Sequence, residues 1–411
     1  GKSKEMRFNP STSVSHLETE WISKASAQQR KGRAGRVRAG KVFRLYTSHR
    51  WHHKFVPHAV PEILRTALDD LILSIKISNL GDPLSFLSHA LDPPSAEAIA
   101  NTMLRLQRLK ALGPAPEHVL LPLGYHLAAL PLEPHLGKML VLAAMLQCLD
   151  PILTVCSVLS HRTPFLSPFN ERSKAEVAKA RFNLHQSDLL AAVRAYTLWS
   201  RKNSRQEKGE FCRAHYLSEE TLSTVQSLRT QLQSLLVGIG FIKRGVSMER
   251  YNTNQQNIPL LKAVITAGLS PRVAKVLSGP EQKLKTRQDG IVAIHPSSVM
   301  CKEQRFGSHW VVYHEKLHTS RLYLKELTVI SPIPLMFFGG EQSIKETKGQ
   351  HVLVVDGWME FHADSRVVSL IGSLCQALDQ LLGEKIRNPK LDFSEIGDGV
   401  VQAVVRVLST E

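Results

Sequence analysis

The periodicity of the apolar residues changes partway along this 411-residue chain. Between residues 64 and 235, apolar side chains recur at spacings of three and four, which predicts a series of α-helices. From Lys262 onward, short apolar runs bounded by turn residues predict β-strands instead. Because helices and strands bury different faces, we predict a multidomain α+β protein. The length agrees with this prediction, since one ordinary core rarely extends over so many residues.

The charge of the chain indicates a polyanionic partner. Its formal net charge is +16 and its isoelectric point is about 9.7, which favours nucleic acid as the partner. We predict no membrane partner, because no apolar run approaches the roughly 18 residues that a span needs. We also predict no metal. The five cysteines include no C-x-x-C pair, and the spacing of Cys212 and His215 has no second pair beside it.

Residues 29–36 read Q-R-K-G-R-A-G-R, and this string points to phosphate chemistry. Arg33 and Arg36 are three residues apart, so on a helix they would share one face. A rigid pair of guanidinium groups suits the charge of a transferring phosphoryl group. Gln29 is placed to orient a water molecule or a phosphate oxygen. The alternative is a solvated basic loop.

The same string resembles motif VI of the superfamily 2 helicases, Q-R-x-G-R-x-G-R. The preceding residues S-K-A-S-A-x-Q-R resemble the DEAH/RHA branch of that superfamily, and within it the RHA-like group that includes small-ribosomal-subunit and G-quadruplex helicases. The resemblance implies that Gln29, Arg33 and Arg36 are catalytic residues that contact ATP or another NTP, with Arg36 as the arginine finger. It also implies that the nucleotide and Mg²⁺ are held mainly by a further RecA-like domain.

Later strings resemble the same family, namely L-D-P-P at 91–94, H-P-S-S-V at 295–299 and F-G-G at 338–340. The order of modules that the resemblance implies is a remnant of an α/β RecA-like domain with motif VI (1–60), a winged helix (61–128), an all-α helical bundle or ratchet (129–250), a β-barrel OB-fold (251–365) and a C-terminal helical extension (366–411). Within these modules we predict that residues 42–46 form a strand that closes the RecA-like domain. We predict that residues 335–340 continue the strands of the barrel.

Several polar residues are candidate RNA contacts on the rim of the predicted barrel. Hydroxyl groups and cations at such a rim bind phosphate or 2′-hydroxyl groups without reading sequence. The stronger candidates are His295, Ser297, Lys316, Thr319 and Ser320, and the weaker ones are Arg272 and Lys275. In the alternative interpretation Ser297 caps a turn and His295 packs in the fold. Elsewhere, we interpret Tyr196 and Trp199 as core residues and Asp188 as a helix cap or a buried hydrogen-bond partner.

The resemblance implies the C-terminal part of an ATP-dependent 3′-to-5′ RNA helicase. Its expected partners are single-stranded or structured RNA, a ribonucleoprotein or ribosomal subunit, and a protein cofactor. The expected location is the cytoplasm, with mitochondrion and nucleus as alternatives. The sequence contains neither G-x-x-x-x-G-K-[ST] nor D-E-x-H, so we expect this chain alone to be inactive. The alternative function is a non-catalytic RNA- or ribosome-binding module derived from a helicase.

Overall fold

The computed structural model of the chain describes residues 1–9, 14–277, 283–303, 305–319, 321–347, 350–362, 364–388, 391 and 398–410. The first part consists of an antiparallel hairpin of β1 (Lys2–Asn9) and β2 (Val14–Trp21), followed by α1 (Lys24–Arg33) and α2 (Ser48–His53). Its small core brings together four aromatic rings, with Phe55 at 5.6 Å from Trp21 and 4.7 Å from Tyr46 between ring centroids.

The predicted strand at residues 42–46 is wrong. The described part of the chain has no strand there, and Phe43 and Leu45 are 83% and 94% exposed. An alternating pattern becomes a strand only when a neighbouring strand accepts its backbone hydrogen bonds. Among the described strands, none pairs with this segment.

The next region contains the four helices α3 (Asp69–Ile77), α4 (Pro83–Leu87), α5 (Ala96–Arg108) and α6 (Pro122–Ala128). Ser95 caps α5, because its Oγ accepts a hydrogen bond from the amide of Ala98 at 3.2 Å. A short bridge between Leu112 and Leu120 closes the loop that follows α5. Apolar faces of α3, α5 and α6 contribute to one core with the helices that follow.

Seven further helices form the bundle. They are α7 (Pro134–Met145), α8 (Leu149–Leu159), α9 (Arg172–Ala180), α10 (Asp188–Ser200), α11 (Arg205–His215), α12 (Glu219–Gly238) and α13 (Ile258–Leu269). Helices α7 and α8 are buried nearly all round, because their sequences are apolar on every face. Tyr196 and Trp199 are buried as predicted, with 8% and 2% of their surface exposed.

The strands after α13 form one twisted sheet that the hairpin extends. They are β3 (Val273–Leu277), β4 (Lys283–Thr286), β5 (Gly290–Ile294), β6 (Trp310–Val312), β7 (Glu315–His318), β8 (Leu322–Lys325) and β9 (Thr328–Ile330). The strand order is β1-β2-β7-β8-β5-β4-β3-β6-β9. A parallel pairing of Ser15 with Leu317 joins the hairpin to β7. The predicted mixture of helical and sheet regions in an α+β chain is therefore confirmed.

The C-terminal region corrects a second strand prediction. Residues 335–338 lie in helix α14 (Pro332–Phe338), because a short apolar run fits either structure and Pro332 favours the first turn of a helix. A separate three-stranded sheet follows, made of β10 (Gln342–Thr347), β11 (Gln350–Val355) and β12 (Met359–His362). Helices α15 (Ser365–Arg387) and α16 (Asp398–Leu408) complete the described chain. Helix α15 reaches back to α6, where the Nε2 atom of His126 is 3.2 Å from the carbonyl oxygen of Leu382.

Candidate nucleotide and RNA sites

The Q-R-K-G-R-A-G-R segment begins inside an anchored helix. Ser23 caps α1 by accepting a hydrogen bond from the amide of Ser26 at 3.1 Å. The amides of Lys24 and Ala25 donate to the carbonyl groups of residues 56 and 57 at 2.8 and 3.0 Å. The buried side chains of Ile22 and Ala27 pack with Phe55. These contacts hold the helix that carries Gln29 and Arg33 in one orientation.

The side chains of the segment face solvent. Gln29, Arg33 and Arg36 are all exposed, and none of the ion pairs among the described residues involves either arginine. A Cβ atom added at Gly32 or Gly35 would meet no other atom within 4 Å. The segment therefore presents cations beside an open backbone, an arrangement that lets an anionic ligand approach closely.

The expectation that both arginines share one helical face is wrong. Helix α1 ends at Arg33, and Ala34 is its C-cap. Arg36 follows in a turn beyond the helix. The glycines on either side of Arg33 weaken the helix there, since glycine is about 1 kcal/mol less favourable than alanine in a helix. The two guanidinium groups therefore reach solvent from different backbone elements.

The bundle and the large sheet meet at a buried carboxylate. Asp188, at the first turn of α10, accepts hydrogen bonds from Ser298 Oγ at 2.7 Å and from the amides of Val299 and Leu327 at 2.7 and 3.0 Å. The Nζ atom of Lys179 lies 3.9 Å from the same carboxylate. Asp188 is thus a buried hydrogen-bond partner, as predicted, and these bonds fix the sheet against the bundle.

His295 and Ser297 lie beside this junction. The amide of Ser297 donates to His295 Nδ1 at 3.1 Å, so the proton of the neutral ring is on Nε2. Burial, and then the charge of Lys325, lower the pKa of His295, which keeps the ring neutral near pH 7. Lys179 donates from Nζ to the carbonyl oxygen of Ser297. His295 therefore offers a neutral N–H donor just after the end of β5. Its contact with RNA stays a prediction.

Lys316 and Arg272 line a cavity of about 750 Å³ at the junction of helices α3 and α5, the bundle and the sheet. The Nζ atom of Lys316 lies 2.5 Å from Asp289 Oδ2, and the side chain is only 6% exposed. Arg272 donates from Nη1 to the carbonyl oxygen of His314 at 2.9 Å. Both cations are thus engaged inside the protein. His295 and Ser297 do not line this cavity, so the structure divides the predicted RNA contacts into two groups.

Thr319 and Lys275 are exposed, as is Ser297. Lys275 places its Nζ atom 5.7 Å from the ring centroid of Trp310. Ser320 lies outside the described residues.

Sequence reasoning missed Lys179, which contacts both Asp188 and Ser297, since a single lysine on an amphipathic helix carries no pattern that marks it. The described residues contain no group of three or more His, Cys, Asp or Glu side chains able to hold a metal ion.

Comparison with known proteins places this geometry in a family. A model of the helicase-associated HA2 domain, described as ratchet-like, matches residues 133–192. A model of an oligonucleotide/oligosaccharide-binding fold matches residues 261–342, and one of a C-terminal domain in RNA helicases matches residues 351–410. None of the helices in the described ranges is both long and apolar enough to cross a membrane.

Curated relatives match over the whole chain. The ATP-dependent DNA/RNA helicase DHX36 of Mus musculus is 39% identical over 425 residues, covering 100% of this chain and 42% of the relative. The ATP-dependent RNA helicase DHX29 of Homo sapiens is 37% identical over 430 residues, with 100% and 31% covered. DExH1 of Arabidopsis thaliana is 38% identical over 413 residues, with 100% and 41% covered. The chain therefore spans less than half the length of these relatives. The residues 29–36, the three family models and these relatives all indicate the same family. The chain therefore belongs to the DEAH/RHA helicases and corresponds to a C-terminal portion of them.

Proposed function

We propose that this chain supplies the motif VI side of an ATP-hydrolysing cleft in a complete 3′-to-5′ RNA helicase. The observation that carries the proposal is the pair of exposed arginines beside glycines whose faces are open. Arg36 would stabilise negative charge that develops on the transferring phosphoryl group, and Gln29 would orient the attacking water. Bound nucleotide with Mg²⁺ supplies the phosphoryl group itself. The residues of this chain fit that ligand because their cations are exposed and the backbone beside them is accessible.

We further propose that the bundle and the sheet form part of a track for single-stranded RNA. Support comes from the net charge of +16, the match to an oligonucleotide-binding fold and the neutral donor at His295. Contacts from hydroxyl groups, cations and neutral N–H donors hold the RNA backbone without reading bases. Remodelling of a ribonucleoprotein or ribosomal subunit in the cytoplasm is the use that we propose for such a track.

The chain alone is expected to show no RNA-stimulated ATPase activity. It presents only one side of the cleft, and its sequence contains no G-x-x-x-x-G-K-[ST] string to hold the phosphate groups. Phosphate release from purified chain with single-stranded RNA should equal that of a protein-free blank. Turnover above the blank that persists in the Arg36→Ala variant would contradict the assignment of this chain to one side of the cleft.

The chain alone should nevertheless bind single-stranded RNA weakly. With about three to five phosphate contacts, the plot of log affinity against log salt should have a slope of roughly −2 to −4, at ~0.7 per contact. Fluorescence anisotropy with a labelled single strand at several salt concentrations measures this slope. Lys275→Ala should flatten the slope by about 0.7, because this exposed cation can contact a phosphate. As a matched control, Lys302→Ala should leave the slope unchanged, because Lys302 is already paired with Glu176. A slope near zero for the unmodified chain would mean that the sheet makes no phosphate contacts and is not part of the track.

A further inference from the structure

One face of the bundle carries cations that the nucleotide and RNA sites above do not use. The face runs from the end of α9, along α10, to the turn before α11 and the first turns of α11. We call it the α10–α11 stripe, and its members are Arg181, Arg194, Arg201, Lys202, Arg205 and Lys208. Residues 201–208 alone contain four of these cations and a single acidic residue, Glu207.

Side-chain contacts connect Arg181, at one end of the stripe, with Arg194 and Lys202 further along it. Arg194 donates from Nη1 to the carbonyl oxygen of Arg181 at 3.1 Å. The ring of His215 lies 5.5 Å from Phe182, next to Arg181, and 4.5 Å from Phe211. The Nζ atom of Lys202 lies 5.5 Å from the centroid of the Phe211 ring. Burial, and then the charges of Arg181 and Lys202, lower the pKa of His215, so both cations act on the same ring.

The charges of the stripe are not neutralised within the protein. None of the ion pairs found in the described ranges involves any of its six members. Glu207 is turned to the amide of Asn203, from which it accepts a hydrogen bond at 3.0 Å. Neighbouring surface cations differ, since Lys174 is paired with Glu171 at 3.0 Å and Lys302 with Glu176. Unpaired like charges on one face attract a polyanion.

The length and position of the stripe suit a nucleic-acid backbone. Arg194 and the C-cap residue Arg201 are seven residues apart on α10, which is ~10 Å along the helix axis at about 1.5 Å per residue. That distance spans roughly three phosphates of one strand, at the ~3.4 Å of axis per phosphate of duplex DNA. Arg181 is two residues from Lys179, which contacts Ser297 in the loop after β5. The stripe thus begins where the proposed single-stranded track passes and leads away from it.

The aromatic residues beneath the stripe decide which form of RNA it fits. Phe182 and Trp199 are 3% and 2% exposed, and Phe211 and His215 pack against each other. Single-strand binding relies on open aromatic faces on which bases stack, and this surface offers none among these four side chains. Duplex RNA is recognised through its phosphates and 2′-hydroxyl groups instead. We propose that the α10–α11 stripe binds the phosphate backbone of an RNA duplex next to the single-stranded track, an inference that rests on the proposed function.

The test compares duplex and single-stranded binding by the same chain. The triple variant Arg181→Ala/Arg201→Ala/Arg205→Ala removes three exposed cations and should leave the fold intact, which thermal melting checks. Its affinity for a blunt RNA duplex at about 0.1 M salt should fall ~tenfold or more. The slope of log affinity against log salt should flatten by about 2 to 3. Affinity for a single-stranded oligouridine should change less than about twofold, because that strand contacts the sheet and not the stripe.

A matched control separates position from total charge. Arg162→Ala/Lys174→Ala/Lys302→Ala also removes three positive charges, but each of these cations is paired with a glutamate. It should leave duplex affinity within about twofold of the unmodified chain.

An equal loss in both triple variants, or an equal loss of duplex and single-strand binding in the stripe variant, would overturn the inference. Displacement of the duplex by polyglutamate at equal charge concentration would assign the stripe to an acidic protein instead. A chain that binds duplex but not single strands would support the stripe and contradict the proposed track.

Discussion

Arg36→Ala in the complete helicase should lower kcat by ~10³ or more, the typical effect of removing an arginine finger. The side chain is exposed beyond the end of α1, and its guanidinium group has no ion pair among the described residues that would be lost with it. The substitution therefore leaves the fold of this region intact. Nucleotide and RNA affinity should change far less than kcat, because the finger acts on charge that develops in the transition state. Steady-state ATPase rates at saturating RNA, together with equilibrium nucleotide binding, measure both quantities.

Two comparisons sharpen this test. Arg36→Lys should lose most of the rate as well, because an ammonium group cannot form the paired hydrogen bonds of a guanidinium group. Arg38→Ala removes another exposed arginine two residues further along and should keep kcat within about threefold. If Arg36→Ala keeps kcat within threefold, or if Arg38→Ala loses as much, Arg36 is not the finger. Arg33→Ala should lower kcat to a similar extent as Arg36→Ala, since both residues belong to the same motif.

Asp188→Ala should lower the free energy of opening at the junction between the bundle and the sheet by about 3–5 kcal/mol. This is the loss expected when one partner of a buried charged contact is removed. The variant leaves the amides of Val299 and Leu327 without their acceptor, and an unsatisfied buried donor costs about 1–3 kcal/mol. It also removes the carboxylate near Lys179. Native-state hydrogen exchange measures the free energy of opening at these two amides.

Matched variants distinguish this junction from a general loss of stability. Asp188→Asn keeps one carbonyl oxygen as an acceptor, so its free energy of opening should fall less than that of Asp188→Ala. Asp92→Ala removes an exposed aspartate and should change protection by less than about 0.5 kcal/mol. Protection of the β11 amides, in the separate three-stranded sheet, should stay unchanged in all three variants, since the side-chain hydrogen bonds of Asp188 go to Ser298, Val299 and Leu327 and not to that sheet. A loss under 1 kcal/mol at both amides in Asp188→Ala would mean that other contacts hold the junction.

Much of the local structure was predictable because it depends on neighbours in the sequence. The Ser95 cap acts on an amide three residues away, so the pattern around it predicts the start of α5. Helical periodicity likewise predicted that Tyr196 and Trp199 are buried. The motif VI string led to the family for a similar reason, because its fixed residues lie within eight positions of one another. Short apolar runs were less informative, and residues 335–338 form a helix where a strand was predicted.

The environment of each candidate site residue depended on contacts between distant parts of the chain. A lysine has the same appearance in a sequence whether it is exposed, like Lys275, or paired in the interior with an aspartate, like Lys316. Asp188 was predictable as a hydrogen-bond partner, but its donors come from loops between strands, more than 100 residues away. Whether a cation is available to a phosphate depends on which carboxylate lies beside it, and only folding brings those groups together. The sequence therefore determined the family and the mixture of helical and sheet regions. The tertiary structure decided which of its charges are neutralised and which face solvent.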